Sequence, residues 1–225
     1  MIVWQEYQNF DILVFIKGII MFNFLVYNKF KQKKWKKLKP EKRLKVFQKM
    51  ENIMAKKVGR QRYTVLPEDW NDGTRGLCVY KDKIIYINTE YFVKDNYQFY
   101  GLATLFHEQR HAQQHFIVKS KKKLWRFSKA YKWKKNMEAY IQYEGDEKYS
   151  YYSMQEIERD ANKFAINQLR KFRFRFRKEP IYKKTLELKE EEFDEVKENA
   201  KKELGIFYKL KLFLRNRKEQ KKNKN

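Results

Sequence analysis

The chain has 225 residues, enough for one domain with extensions, and 42% of them are hydrophobic, which excludes a disordered polyelectrolyte. Glycine (7) and proline (3) are scarce, which argues against an all-β fold and favours a largely helical one. The net charge of +25 attracts nucleic acid, anionic lipid or acidic protein surfaces, although a solvated basic surface explains it equally well.

The single cysteine, Cys78, excludes a disulfide framework and a zinc cluster built from thiolates. Because it lies between Leu77 and Val79 in an apolar run, we predict a buried structural thiol rather than a nucleophile. A chain without disulfides suits a reducing compartment, so we expect a cytoplasmic protein.

Residues 1–40 are first apolar and then polybasic. Between Ile12 and Tyr27 the only charged residue is Lys17, but this run is shorter than the roughly 20 residues that a membrane-spanning helix needs. Two interpretations remain open. Residues 10–39 associate with an anionic membrane surface through the apolar run and the lysines that follow it, or the segment forms a helix that packs on the protein or on a partner. These lysines are Lys29, Lys31, Lys33, Lys34, Lys36, Lys37 and Lys39.

The next part of the chain predicts one helix, a loop and two strands. Apolar residues recur at helical spacing over residues 42–59, and Gly59 is a typical helix stop. The loop is PEDWNDG, residues 67–73. GLCVY and IIYIN, on either side of the charged turn KDK within residues 76–88, are rich in β-branched and aromatic residues and predict a strand pair.

Residues 98–117 predict a helix that contains His107-Glu108-Gln109-Arg110-His111, an HExxH motif. Residues four apart share a helix face, so His107 and His111 can present both imidazoles to one metal ion. Glu108 lies beside that face, where it can act as general base towards a water molecule attacking a carbonyl group. The three histidines of the chain are His107, His111 and His115, so all of them fall on this helix.

Zinc needs a third protein ligand. His115 lies about 12 Å along the helix from His107 and cannot readily close the same site. The metzincin pattern requires a histidine six residues after His111, where this chain has Ile117. The third ligand is therefore expected to be a carboxylate.

A second helix is predicted from Ser153, as N-cap of a capping box with Glu156, to Leu169. It contains ERDANKFA, residues 158–165. The pairing of HExxH with this segment resembles the gluzincin pattern, and most closely the ImmA/IrrE-type peptidases of phages and mobile elements, whose second motif is similar to ExEANxFA. The matching positions are Glu158, Asp160, Ala161, Asn162, Phe164 and Ala165.

The resemblance extends from about residue 42 to 169, and the spacer between its two motifs is longer than in that family. It implies a zinc metallopeptidase acting on a protein or peptide, with Glu158 as third ligand and Asn162 hydrogen-bonded to a ligand histidine. Glu156 with Asp160 forms the alternative pair one register away. We expect IIYIN to be the edge strand that holds an extended peptide.

An oxyanion donor is also needed, and Tyr149, Tyr151 and Tyr152, just before the ligand helix, are the candidates. The last section, residues 171–225, is charged. Its KFRFRFRK, residues 171–178, alternates like a strand or an extended strip, and residues 186–204 predict an acid-rich helix that could act as a lid.

We therefore expect an α+β fold: a mainly helical zincin-like domain at residues 41–170 with a small sheet before the HExxH helix, between N- and C-terminal extensions. The expected activity is zinc-dependent peptide hydrolysis. The alternative function is nucleic-acid binding, in which basic residues interleaved with aromatic ones contact phosphates and bases and the HExxH string is incidental.

Overall fold

The computed structural model describes residues 25–120, 128–140 and 152–222. The described chain is mostly helical with a three-stranded sheet, which confirms the α+β class. The elements in chain order are α1 (Gln32–Trp35), α2 (Pro40–Val58), β1 (Thr64–Glu68), β2 (Gly76–Val79), β3 (Ile84–Asn88), α3 (Glu90–Val93), α4 (Gln98–Ser120), α5 (Lys129–Glu138), α6 (Glu156–Arg170), α7 (Arg173–Phe176) and α8 (Pro180–Lys222).

Helix α2 shows how local sequence sets an element's ends. Pro40 occupies the first helical position, where its missing N–H is no loss, and Gly59 ends the helix in the left-handed conformation with φ 70°. Its inner face buries Phe47, Met50 and Met54 against the core, as the helical spacing predicts. The predicted helix of residues 42–59 is therefore confirmed.

The sheet has the order β1-β3-β2, with β1 parallel and β2 antiparallel to β3. The predicted strand pair of residues 76–88 is confirmed. The prediction that IIYIN forms the edge strand is wrong. IIYIN is β3, which lies in the centre between the two edge strands β1 and β2. The predicted loop of residues 67–73 begins too early, since Pro67 and Glu68 belong to β1, an edge strand where a proline interrupts no inner ladder.

Helix α4 passes through the centre of the molecule. Its first half buries Phe99, Leu102, Leu105 and Phe106 between α2, the sheet, α6 and α8. The same core takes in Phe30 and Trp35 before α2 and residues of the C-terminal section. The buried C-terminal residues in this core are Phe176, Tyr182 and Leu186.

Two predictions for the second half of the chain are wrong. Helix α6 begins at Glu156 with Gln155 as N-cap, so Ser153 does not cap it. Residues 171–178 form a turn and the short helix α7 rather than a strand, because Phe172 and Phe176, four residues apart, both pack on the core. The predicted helix of residues 186–204 lies inside the longer α8.

Of the segment expected to associate with a membrane, residues 10–24 lie outside the described residues. Within the described ranges, no helix combines the length and the apolar character that a membrane crossing requires.

Candidate metal centre

Helices α4 and α6 pack side by side and bring three candidate ligands together. Nε2 of His107 lies 2.9 Å from Nε2 of His111 and 3.1 Å from Oε2 of Glu158. Nε2 of His111 lies 3.3 Å from Oε1 of Glu158. This group of His107, His111 and Glu158 could hold a metal ion. For metal–nitrogen bonds of 2.0–2.1 Å, two tetrahedral ligands lie about 3.3 Å apart, so the observed separations suit a small ion.

The outer nitrogens of both imidazoles face amide oxygens. Nδ1 of His107 lies 2.9 Å from Oδ1 of Asn162, and Nδ1 of His111 lies 2.9 Å from Oε1 of Gln114. An amide oxygen can only accept, so each Nδ1 carries the proton and each Nε2 of a neutral ring presents a lone pair. Two lone pairs and a carboxylate then converge on one point. They repel one another unless a cation lies between them.

The ionisation of the group fits the same interpretation. Burial alone would lower the pKa of His111, but the charge of Glu158 and their hydrogen bond outweigh it and raise this pKa to about 9. Burial alone would raise the pKa of Glu158, but the two imidazoles hold it well below its usual range. A proton on His111 thus takes the place that a cation would fill.

Glu108 is buried next to this group on the side of strand β2. Burial raises the pKa of its carboxyl group, against the charges of His107 and His111 and a hydrogen bond from the backbone N–H of Cys78. Helix and strand approach closely here because residue 76 is glycine: a Cβ atom at Gly76 would lie 2.7 Å from Cγ2 of Thr104 and 3.2 Å from Oε1 of Glu108. Gly76 therefore sets the distance between the strand and the general base predicted at Glu108.

A cavity of about 540 Å³ opens in front of His107, Glu158 and Glu108. Strand β2 and the loop before it, which includes Arg75, form one wall. Helix α8 forms the opposite wall, and the side chains that it contributes are Lys189, Glu192, Phe193 and Val196. The guanidinium of Arg75 and the carboxylate of Glu192 approach to 3.3 Å and link the two walls.

Two tyrosines complete the site. Tyr140 donates a hydrogen bond of 2.7 Å to Oε1 of Glu158, and its hydroxyl group is also hydrogen-bonded to that of Tyr152. Burial, and then the charge of Glu158, raises the pKa of both phenols, so both are neutral donors. Tyr152 also lines the cavity. The other oxyanion candidates, Tyr149 and Tyr151, lie outside the described residues.

The alternative carboxylates do not face the imidazoles. Glu156 pairs with Arg159 at 2.7 Å. Asp160 is buried and accepts hydrogen bonds from Arg110, at 2.7 Å, and from Lys129. Gln114 donates to Asp160 at 2.9 Å while its oxygen faces His111. The charge of Asp160 therefore joins α4, α5 and α6 behind the ligands.

Sequence reasoning missed Gln114 and Tyr140, and it suggested a lid at residues 186–204 without identifying the side chains that α8 contributes to the cavity. Gln114 could have been found, since it lies three residues after His111 and shares its helix face. Tyr140 and α8 approach the site through long-range packing, for which no local signal exists.

His115 and Cys78 stay apart from the three ligands. The ring of His115 stacks on Tyr80 with centroids 3.8 Å apart, so His115 points towards the turn after β2. Residue Cys78 as a whole is half-buried. Burial of its sulfur raises the pKa of the thiol well above the usual value, so the thiol is protonated at neutral pH.

No family model, no curated protein and no solved structure matches this chain. The function is therefore inferred from the geometry and chemistry of the site.

Proposed function

We propose that this protein is a zinc-dependent metallopeptidase with a zincin-like domain, in which His107, His111 and Glu158 hold the ion and Glu108 is the general base. The observation that carries the proposal is the convergence of two Nε2 atoms and one carboxylate within 3.3 Å. A buried carboxylate on the cavity side, at Glu108, adds the proton acceptor that hydrolysis requires.

The donor set favours zinc. Two imidazoles and one carboxylate are the ligands of catalytic zinc in several hydrolase families, with a fourth position left for water or substrate. Harder ions such as magnesium and calcium prefer oxygen ligands alone. The amide partners of the two Nδ1 atoms support this role, because they fix the ring tautomer that makes Nε2 a ligand.

Each group of the site has a separate role in the proposed reaction. Zinc, when bound, supplies Lewis-acid chemistry that polarises the substrate carbonyl and makes water more acidic. Glu108 takes a proton from the attacking water and later gives it to the nitrogen of the leaving amine. Because burial raises its pKa, the carboxyl group of Glu108 can hold that proton between the two steps.

Tyr152 is the proposed oxyanion donor. It lines the cavity and is neutral, so its O–H can turn towards a carbonyl oxygen that becomes negatively charged. Tyr140 is assigned a positioning role instead, because it donates to Glu158. We expect Tyr152→Phe to lower kcat with little change in zinc content, and Tyr140→Phe to lower zinc affinity.

A peptide in extended conformation suits the cavity. In the described residues, β2 pairs with one strand only, β3, so a substrate strand can be added along its other side, beside the N–H of Cys78 that donates to Glu108. The cavity between β2 and α8 has a volume of about 540 Å³, which leaves room for a short stretch of peptide around a scissile bond.

The first experiment measures metal in the purified full chain and in three variants. We expect about one zinc per chain, loss of that zinc in His111→Ala and in Glu158→Ala, and retention in the matched control Glu156→Ala, whose carboxylate pairs with Arg159. Zinc content that is the same in all four proteins, or absent from all, would rule out the metal centre.

The second experiment measures cleavage. The protein is incubated with a mixture of peptides of known sequence, and new termini are identified by mass spectrometry. We expect cleavage with the native chain, none after removal of zinc by a chelator, and recovery when zinc is restored. Cleavage that the chelator does not reduce would contradict the proposal.

A further inference from the structure

An exposed aromatic residue lies on the short helix α7. Phe172 and Phe176 of this segment pack on the core, whereas Phe174, on the opposite face, is 80% exposed. Isolated apolar residues on a surface are common, so the exposed ring alone indicates nothing, but here it lies among exposed cations. Arg177 lies over the ring of Phe174 at 4.8 Å from its centroid.

The surroundings of Phe174 are strongly basic. The exposed cations of this segment are Lys171, Arg173, Arg177 and Lys178. Burial, and then repulsion from Lys57 at the end of α2, lowers the pKa of Lys171. The charge of Lys57 therefore adds to the basic character on this side of α7. We call Arg173, Phe174, Arg177 and Lys178 the basic-aromatic patch.

The beginning of the described chain lies beside this patch. Tyr27 contacts Phe172 with ring centroids 4.5 Å apart, and Arg175 lies over the ring of Tyr27. The backbone N–H of Gln32 donates to the carboxylate of Glu179, which brings the lysine-rich α1 to the end of α7. Two segments that are 147 residues apart in the chain at this hydrogen bond therefore adjoin each other, and Leu25, at the start of the first one, is 56% exposed.

We propose that the basic-aromatic patch, together with the adjoining segment of residues 25–37, docks the protein on an anionic phospholipid bilayer. Phe174 and Leu25 enter the interface between headgroups and acyl chains, and the surrounding arginines and lysines contact lipid phosphates and carboxylates. This proposal concerns a different surface from the metal centre and does not depend on the proposed peptidase activity.

A bilayer fits this surface better than a nucleic acid does. Single-stranded nucleic acid is bound by several aromatic rings on which successive bases stack, whereas this patch presents one phenylalanine. Leu25 offers no face for stacking but has a side chain suited to an acyl environment. In the sequence, residues 25–28 follow an apolar run, whose composition has the same preference.

The test uses the full chain and lipid vesicles. Partition coefficients are measured by co-sedimentation with phosphatidylcholine vesicles that contain 0 or 30% phosphatidylserine. We expect binding to the anionic vesicles only, roughly tenfold weaker for Phe174→Ala because most of the energy of burying the ring is lost. Each of Arg173→Gln and Arg177→Gln should weaken binding roughly fivefold, which corresponds to about 1 kcal/mol per charge. Val93→Ala, at an exposed apolar residue of α3, is the matched control and should bind like the native chain.

A second measurement reports the position of the patch directly. An environment-sensitive dye is attached to Phe174→Cys and, as control, to Val93→Cys, and the signal from labelling Cys78 in the native chain is subtracted. We expect a blue shift on adding anionic vesicles at position 174 and none at position 93. No shift at position 174 would overturn the proposal, as would Phe174→Ala binding vesicles normally while losing affinity for a single-stranded oligonucleotide. Glu108→Gln should bind vesicles normally, so loss of peptidase activity leaves this result intact.

Discussion

Two buried polar clusters of this protein, one at the end of α2 and one between α4 and α6, differ in whether their charges are balanced. In the first, Arg60 and Glu51 form two hydrogen bonds of 2.7 and 2.8 Å, and both side chains are almost completely buried. Glu51 also accepts from the backbone N–H of Tyr63 at 2.9 Å. One cation faces one anion with matching geometry, so the charges of this cluster balance each other without any ligand.

The second cluster holds His107, His111 and Glu158, and its atoms do not satisfy one another. The Nδ1 atoms are used by amide oxygens, which leaves acceptor atoms pointing at acceptor atoms. Burial is similar for the two carboxylates, since Glu51 and Glu158 are both inaccessible to solvent. The difference is that Glu51 faces the permanent cation of Arg60, whereas Glu158 faces only imidazoles, which balance its charge by taking up a proton or by binding a metal ion. A buried cluster that balances itself stabilises a fold, whereas one that lacks a cation indicates a site for one.

The largest expected effect concerns Glu108, the proposed general base beside the second cluster. Glu108→Gln removes the proton acceptor but keeps the shape of the side chain, so kcat should fall about 10²- to 10⁴-fold. The zinc content should stay at the native level, because Glu108 is not one of the three ligands. Peptide cleavage and metal analysis on the same preparation measure both. Normal cleavage with normal zinc would show that Glu108 is not the base.

Removing one partner from the first cluster should destabilise the fold. Arg60→Met leaves the carboxylate of Glu51 buried without its cation, and the free energy of unfolding should fall by about 3–5 kcal/mol. Urea denaturation measures this loss. The double variant Glu51→Leu/Arg60→Met, in which neither charge remains, should regain part of it. A double variant less stable than Arg60→Met would contradict the argument from charge balance.

Zinc should stabilise the second cluster and leave the first unchanged. At a free zinc concentration 100 times the dissociation constant, the free energy of unfolding of the native chain should rise by about 2.7 kcal/mol. Glu158→Gln should show no such increase, whereas Arg60→Met should show the full increase from its lower starting point. Denaturation of the three proteins with and without zinc provides the three increases. An equal increase in Glu158→Gln would place the ion elsewhere.

The same contrast between local and long-range signals explains what the sequence could predict. The ends of α2, the strand pair of residues 76–88 and the face shared by His107 and His111 follow from spacing within one element. Identifying the third ligand required a second motif, because the carboxylates of Glu156, Glu158 and Asp160 all lie on one helix. Only the packing of α6 on α4 decides that Glu158 faces the imidazoles while Glu156 pairs with Arg159.

The parts that could not be predicted depend on tertiary arrangement. Pro67 argues against a strand, so the sequence did not predict β1. The parallel pairing of β1 with β3 joins segments on either side of β2. The order of the strands, and so the identity of the edge strand, follows from that pairing and not from composition. The arrangement of α8 over the cavity brings Glu192 to Arg75, which is 117 residues earlier in the chain.

A smaller effect is expected from the amide groups that orient the imidazoles. Gln114→Ala removes the acceptor of Nδ1 of His111, and Asn162→Ala removes that of His107, so each should weaken zinc binding 10- to 100-fold. Competition with a chelating dye measures the affinity. Asn167→Ala, at an exposed position of the same helix α6, is the control and should keep the native value. Native affinity in both amide variants would show that the rings are held by packing alone.

The smallest expected effect concerns the ion pair across the cavity. Arg75 and Glu192 are 49% and 41% exposed in their side chains, so Glu192→Gln should change the free energy of unfolding by less than about 1 kcal/mol. It also removes the carboxylate that faces both Arg75 and Lys189, which leaves the cavity wall more positive. If peptides bind there, KM should fall up to about fivefold for a peptide with an acidic residue near the scissile bond, and stay unchanged for its neutral analogue. Glu191→Gln, exposed on the same helix, carries the same change of charge outside the cavity. If Glu191→Gln and Glu192→Gln shift KM equally, the effect comes from net charge, and the wall formed by α8 does not contact the substrate.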